Sequence, residues 1–227
     1  MVLSLAGCEG IVLTRGGRRN RRVTCRATPW CEDMTLARVF LIGGTSHTGK
    51  STTARAIATS LAADRIATDV FARHPGRPWP SPDSAVRPHV ADYYATTNTA
   101  QLVEDVVRHY ERLQPHLLSL QTLRQRDKAA PDLVIEGSCV MPRAGMNAVW
   151  LYVKPDVIAD RMYKESAYAN LASKGQRLVD AFLDRTLAFQ SLLMARSDEL
   201  GLPLLDVSEV DDAAAACLDS LLQELVE

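Results

Sequence analysis

A short apolar run, Val39-Phe40-Leu41-Ile42, ends in Gly43 and passes straight into Gly44-Thr45-Ser46-His47-Thr48-Gly49-Lys50-Ser51. This is the pattern G-x-x-x-x-G-K-[ST], and its setting constrains the chain more than any other feature. β-Branched and aromatic residues without alternation predict a strand buried on both faces. From Lys50 to Ala63, Ala54, Ile57, Ala58 and Leu61 fall on one helical stripe. A strand that turns through glycines into a helix aims successive main-chain N–H groups at one point, where the helix N-terminus adds partial positive charge. Such a turn holds phosphate. Gly44, Thr45, Ser46, His47, Thr48, Gly49, Lys50, Ser51 and Thr52 are therefore the expected nucleotide-binding residues. In that role Lys50 reaches the terminal phosphates and the Ser51 hydroxyl serves Mg²⁺. His47 occupies a variable position of the loop and reads as a tolerated side chain rather than a base.

The rest of the chain repeats strand and helix in alternation. Arg65 to Thr68 is a short strand ending at Asp69, after which Pro75, Pro78, Pro80, Pro82 and Pro88 bar regular helix until about Val90. Asn98 and Gln101 form a capping pair for a stripe of Leu102, Val106, Tyr110 and Leu113. Pro115 then either kinks that helix or opens a second one running to about Lys128. Leu133 to Ile135 and Val149 to Val153 are further buried strands, and Pro155 opens a helix to about Tyr163. A polar interval from Lys164 to Gln176 leads into a long helix ending near Leu200, where Gly201 caps it. Leu204 to Val207 is the fifth strand, and Ser208 with Asp211 caps the last helix. This order predicts an α/β fold of three layers, a parallel sheet with helices on both faces.

With 227 residues, 47% of them apolar, the chain is long enough to bury a core of ordinary size. It has no apolar stretch of spanning length, so no membrane segment is expected. A net charge of -1 lacks the basic excess of a nucleic-acid binder, which points to a small or locally charged ligand. Five cysteines without a Cys-x-x-Cys pair argue against a disulfide framework and for a reducing, cytoplasmic location. Residues 1–33 carry six arginines and no sustained apolar period. They are expected to be a disordered basic leader, with Met34 as the start of a domain covering 34–227.

The sequence also narrows the class of nucleotide chemistry. Guanine-reading proteins use an Asn-Lys-x-Asp loop, and no Asn-Lys pair occurs here. A transporter-type Ser-Gly-Gly signature is missing as well. Small-molecule kinase remains. Asp69 and Glu136 both follow strands, so they belong at the carboxyl edge where open α/β sheets place ligands. Phosphoryl transfer asks for one group that orients or deprotonates the acceptor hydroxyl and another that holds the metal. Asp69 takes the first task and Glu136 the second. The competing readings are a helix cap for Asp69 and a strand-end acid without a task for Glu136. Lys50, Asp69 and Glu136 are thus the catalytic candidates, with Ser51 and Glu136 on the metal.

Arg73, His74, Arg77 and Arg87 crowd the proline-rich loop, and Arg143 lies beyond Glu136. They read as a clamp for an anionic acceptor or as ordinary solvated arginines. Arg161 and Lys164 are either a lid over the transferring phosphate or a solvated helix face. Two functions follow. One is an ATP- and Mg²⁺-dependent kinase acting on a hydroxyl of a small anionic metabolite; the other is a nucleotide-dependent switch or ATPase that meets a protein partner.

The loop Gly43 to Ser51, Ala67-Thr68-Asp69, Ile135-Glu136-Gly137-Ser138, and Phe182-Leu183-Asp184-Arg185 leading to Gly201-Leu202-Pro203-Leu204-Leu205-Asp206 resemble the small P-loop kinases related to 2-phosphoglycerate kinase. The likeness runs from about Arg38 to Val207. It implies a five-stranded parallel sheet in the order 2-3-1-4-5, ATP with Mg²⁺, and an adenine site around Asp206 to Ser208. It also implies phosphate-loop roles for Gly49, Lys50, Ser51 and Thr52, and acidic roles for Asp69 and Glu136. The stretch Arg73 to Trp79 matches no pattern that names an acceptor.

Overall fold

Five parallel strands form one sheet: β1 (Val39–Gly44), β2 (Asp64–Ala67), β3 (Leu133–Glu136), β4 (Ala148–Tyr152) and β5 (Leu204–Asp206), in the spatial order β2-β3-β1-β4-β5. The computed structural model describes residues 36–71, 75–81, 84–127 and 129–223. The expected leader and the start at Met34 lie outside the described residues, as do Arg73 and His74. Among the described residues five α-helices lie between the strands and a sixth follows β5: α1 (Lys50–Ser60), α2 (Pro88–Thr96), α3 (Thr99–Arg126), α4 (Pro155–Glu165), α5 (Ser173–Glu199) and α6 (Ala213–Gln223). With a glycine-rich loop between β1 and α1, this is the three-layer P-loop fold.

The alternation of side chains along each strand sorts the core into two faces. Phe40 and Ile42 of β1 pack with Val134, Val149 and Leu151 against Ala54 and Ile57 of α1 and Cys217 and Leu221 of α6. Val39 and Leu41 point the other way and join Leu133, Ile135 and Trp150 under Leu117 of α3. A third cluster, Val106, Met141, Phe189 and Leu193, ties α3 to α5 beyond the sheet edge.

Several boundaries differ from the local signals. Pro115 neither ends nor splits its helix: α3 is continuous over 28 residues. Proline removes one ladder hydrogen bond, but Leu102, Val106 and Leu117 are buried on both sides of it. Gln114 adds a tie, donating from Nε2 to the Cys139 carbonyl at 2.6 Å. The expected cap at Asn98 is present, its Oδ1 accepting from Gln101 N at 2.9 Å. At the last helix the cap is Asp212 instead of Ser208, for its Oδ1 accepts from Ala214 N and Ala215 N. Ser208 is engaged elsewhere, donating to Asp206 Oδ1 at 2.6 Å and accepting from Lys154 N at 2.8 Å. Most of the polar interval after Lys164 is built structure: the end of α4, a 3₁₀ turn at Tyr168–Asn170 and the start of α5. No helix among the described residues is long and apolar enough to cross a membrane.

Candidate active site

The register of the sheet decides what meets at its carboxyl edge. Ala67 of β2 and Ile42 of β1 both lie level with Glu136 of β3. The glycine loop, from Gly44, therefore starts two residues beyond the level of Glu136 on one side, and Asp69 follows two residues beyond it on the other. Asp69 sits in a 3₁₀ turn, Thr68–Val70; the competing reading of it as the cap of a helix from Val70 to Arg73 runs outside the described residues. That turn is held close by Gly137, whose φ of +150° and missing side chain leave room for Thr68; a Cβ there would stand 1.7 Å from Thr68 Oγ1.

The loop itself is shaped by two of its members that do not face the ligand side. Gly44, at φ +131°, runs so close to β4 that a Cβ would meet the Leu151 carbonyl at 2.4 Å. Thr48 is fully buried and donates from Oγ1 to the Thr45 carbonyl at 3.0 Å. The Lys50 ammonium folds back over the loop and donates to the Thr45 carbonyl and, at 3.5 Å, to Thr48 Oγ1. Burial pulls its pKa from 10.5 to about 8; Arg77 pushes the same way, and Glu136 and Asp69 oppose it. Thr45 Oγ1 is buried with no hydrogen-bond partner in the described residues. A cradle with a desolvated cation and an unmet hydroxyl suits an anion.

Glu136 is almost wholly buried, and both its oxygens are engaged. Ser51 Oγ donates to Oε2 at 3.1 Å and Arg65 Nη1 to Oε1 at 2.9 Å. Arg65 carried no signal in the sequence beyond its place on β2.

A cavity of about 350 Å³ opens above the loop. It brings together Thr45, Ser46, His47, Gly49, Lys50, Ser51 and Thr52 with Asp69, Glu136 and Arg77, residues predicted from four separate stretches of chain. The sequence reading does not mark the far wall, which Val106 and Tyr110 of α3 form together with Phe182, Arg185, Thr186 and Phe189 of α5. Phe182, Arg185, Thr186 and Phe189 recur at helical spacing, but locally that pattern is indistinguishable from a core stripe.

His47 has a defined place. Its backbone is left-handed, with φ at 67°. Its Nε2 lies 2.9 Å from Glu165 Oε2, and Glu165 also accepts from Arg77. Burial, together with the Arg77, Lys50 and Arg161 cations, lowers the imidazole to about 4. A neutral ring thus donates to a carboxylate whose charge Arg77 shares. Glu165 was not foreseen, and nothing local would have marked it.

Other expected members stand apart. Arg161 is not a free lid cation: it donates from Nη1 to the His47 carbonyl at 2.7 Å and so braces the loop. Lys164 is exposed and lines no part of the cavity. Arg143 is likewise exposed and not among the lining residues, because the chain after Ser138 turns Val140 and Met141 inward and leaves position 143 on the surface. Arg87 lines a neighbouring hollow of about 440 Å³, which shares Gly76, Arg77 and Glu165 with the first.

No protein-family model matches the chain, and no curated protein matches it either. Solved structures resemble it in shape. Shikimate kinase from Acinetobacter baumannii in complex with shikimate is 16% identical, with a TM-score of 0.42 over 85% of this chain and 95% of that one. A gluconokinase from Sinorhizobium meliloti 1021 is 14% identical, at 0.40 over 84% and 93%. Thymidylate kinase from Candida albicans is 13% identical, at 0.40 over 84% and 91%. The fold assignment rests on the strand order and the loop after β1; none of these likenesses ties the chain to 2-phosphoglycerate kinase.

Proposed function

We propose that the protein is an ATP- and Mg²⁺-dependent kinase that transfers the γ-phosphoryl group to a hydroxyl of a small anionic metabolite. The observation that carries this reading is that Lys50, Asp69 and Glu136 line one cavity floored by the glycine loop. The main-chain amides of that loop and the Lys50 ammonium hold the β- and γ-phosphates, and the helix dipole of α1 adds to their field. Ser51 Oγ and Glu136 Oε2 offer hard oxygens 3.1 Å apart, a set that fits Mg²⁺, which takes one or two protein oxygens with substrate phosphates and water. Among the described residues no group of three or more His, Cys, Asp or Glu side chains could hold a metal unaided. Bound there, the ion would neutralise charge on the bridging phosphate oxygens.

Asp69 takes the proton of the acceptor hydroxyl as its oxygen forms a bond to Pγ. The bond from Pγ to the β–γ bridging oxygen breaks, and ADP leaves with that electron pair. Arg77, which lines the cavity, faces the anionic part of an acceptor. A switch that met only a protein partner would need no second acid beside the phosphates, and Asp69 favours the kinase.

The deciding test is coupled ADP release across a panel of phosphorylated acids, sugar acids, hydroxy acids and nucleosides. One acceptor is expected to raise the rate above the water background by about 10² or more, and Lys50→Ala to abolish it. An ATP-binding chain that no acceptor stimulates, and that instead retains a stoichiometric protein with ATP and loses it with ADP, would establish the switch.

A further inference from the structure

Arg65 ties the edge strand β2 to the buried acid on β3. Glu136 is 3% exposed, and a carboxylate so deep in the fold needs a cation or several donors around it. Among the described residues its one ion pair is with Arg65, whose Nη1 donates to Oε1 at 2.9 Å. Lys50 does not fill that place, since its ammonium donates to the Thr45 carbonyl and to Thr48 Oγ1. Arg65 pairs with Val134 across the sheet, two residues before the level of Glu136. Its side chain is 31% exposed, so the stem stays at the sheet edge while the guanidinium reaches inward to the acid.

The two oxygens of Glu136 thereby acquire different surroundings. Oε1 is held by the guanidinium, and Oε2 accepts from Ser51 Oγ at 3.1 Å, at the start of α1. A carboxylate pinned at one oxygen does not turn to place both on a single ion. That restriction separates two hard divalent cations. Mg²⁺ demands a near-ideal octahedron, in which one carboxylate oxygen fills one corner; Ca²⁺ is larger, takes more oxygens and accepts both from the same carboxylate.

We infer that Arg65 is a positioning residue that keeps Glu136 a one-oxygen ligand and so sets the preference of the nucleotide site for Mg²⁺ over Ca²⁺. This role rests on the metal placed beside Ser51 and Glu136 in the kinase reading above. With the guanidinium on Oε1, Oε2 is all that Glu136 offers, and the larger ion is left short of oxygens. A partner that merely satisfied the buried acid would serve both ions alike.

Isothermal titration of the full chain with the non-hydrolysable analogue β,γ-imido-ATP, in excess Mg²⁺, in excess Ca²⁺ and in EDTA, tests this. The unaltered chain is expected to bind the magnesium form at least about tenfold tighter than the calcium form. Arg65→Met frees Oε1 and should bring the two forms to within about threefold of each other. Arg65→Lys keeps a cationic donor for Oε1 and should retain most of the preference. The charge that Arg65→Met removes acts equally on two ions of equal charge, so the ratio reports the geometry. Binding in EDTA shows that each variant is folded. Equal affinity for the two forms in the unaltered chain would overturn the inference, and that result needs no variant. An Arg65→Met chain that shifts both forms by the same factor, or neither, would overturn it as well. The two levels separate cleanly. A preference that collapses with Arg65→Met, in a chain that no acceptor of the panel stimulates, would refute the kinase reading and keep the role of Arg65; acceptor-stimulated ADP release by a chain indifferent to the two ions would do the reverse.

Discussion

Nucleotide binding should draw in a proton, and the amount follows from the position of Lys50. In the free chain burial holds its pKa at about 8 instead of 10.5. At pH 9 only about a tenth of the chains then carry the charge, and at pH 7 about nine-tenths do. A bound triphosphate stabilises the charged form, so binding should take up about 0.9 proton per site at pH 9 and about 0.1 at pH 7. The sign is fixed by the direction of the shift. Affinity is flat below pH 7.5 and falls as pH rises through the free-state pKa, by about tenfold, or 1.4 kcal/mol, per pH unit above 8 until the pKa of the complex is reached. His47, at about 4, and Tyr110, at about 12, titrate outside this window. Calorimetric titration of ATP at pH 9 in buffers of different ionisation enthalpy measures the uptake directly, and Lys50→Met removes it. Uptake near zero at pH 9 in the unmodified chain, or an affinity that stays constant from pH 7.5 to 9.5, would refute the placement of Lys50 against the phosphates.

Three further outcomes are expected. Asp69→Asn should lower kcat by about 10² to 10⁴ and leave ATP affinity within about twofold, as read by steady-state kinetics beside direct titration; an equal loss in both would move Asp69 from the chemistry to binding. Gly137→Ala forces a side chain to within 1.7 Å of Thr68 Oγ1 at a φ of +150°, and urea unfolding should show a loss of about 1 to 3 kcal/mol. Asn98→Ala removes the acceptor for Gln101 N and should cost about 1 kcal/mol in the same assay, with activity per folded molecule unchanged.

The loop, the alternation of strand and helix, and the two acids at strand ends are local properties, and they were legible in the sequence. A buried parallel strand needs an unbroken apolar run, a phosphate cradle needs glycine where φ is positive, and a ligand edge needs polar groups just past the strand. Each of these requirements is met within a few consecutive residues, as at Val39 to Ser51 and Leu133 to Glu136. The tertiary structure alone decided the rest. Pro115 continues α3 because Leu102, Val106 and Leu117 are buried on either side of it, which no window around the proline reveals. Arg143 and Lys164 line no part of the cavity while Glu165 and Arg185 do and Arg65 pairs with Glu136 beside it, and charge alone does not separate the five. The far wall pairs Val106 and Tyr110 with residues some eighty positions later on α5. Whether such a stripe faces core or cavity depends on how two helices cross and in what register. That geometry comes from the summed packing of both helices on the sheet, and no single segment encodes it.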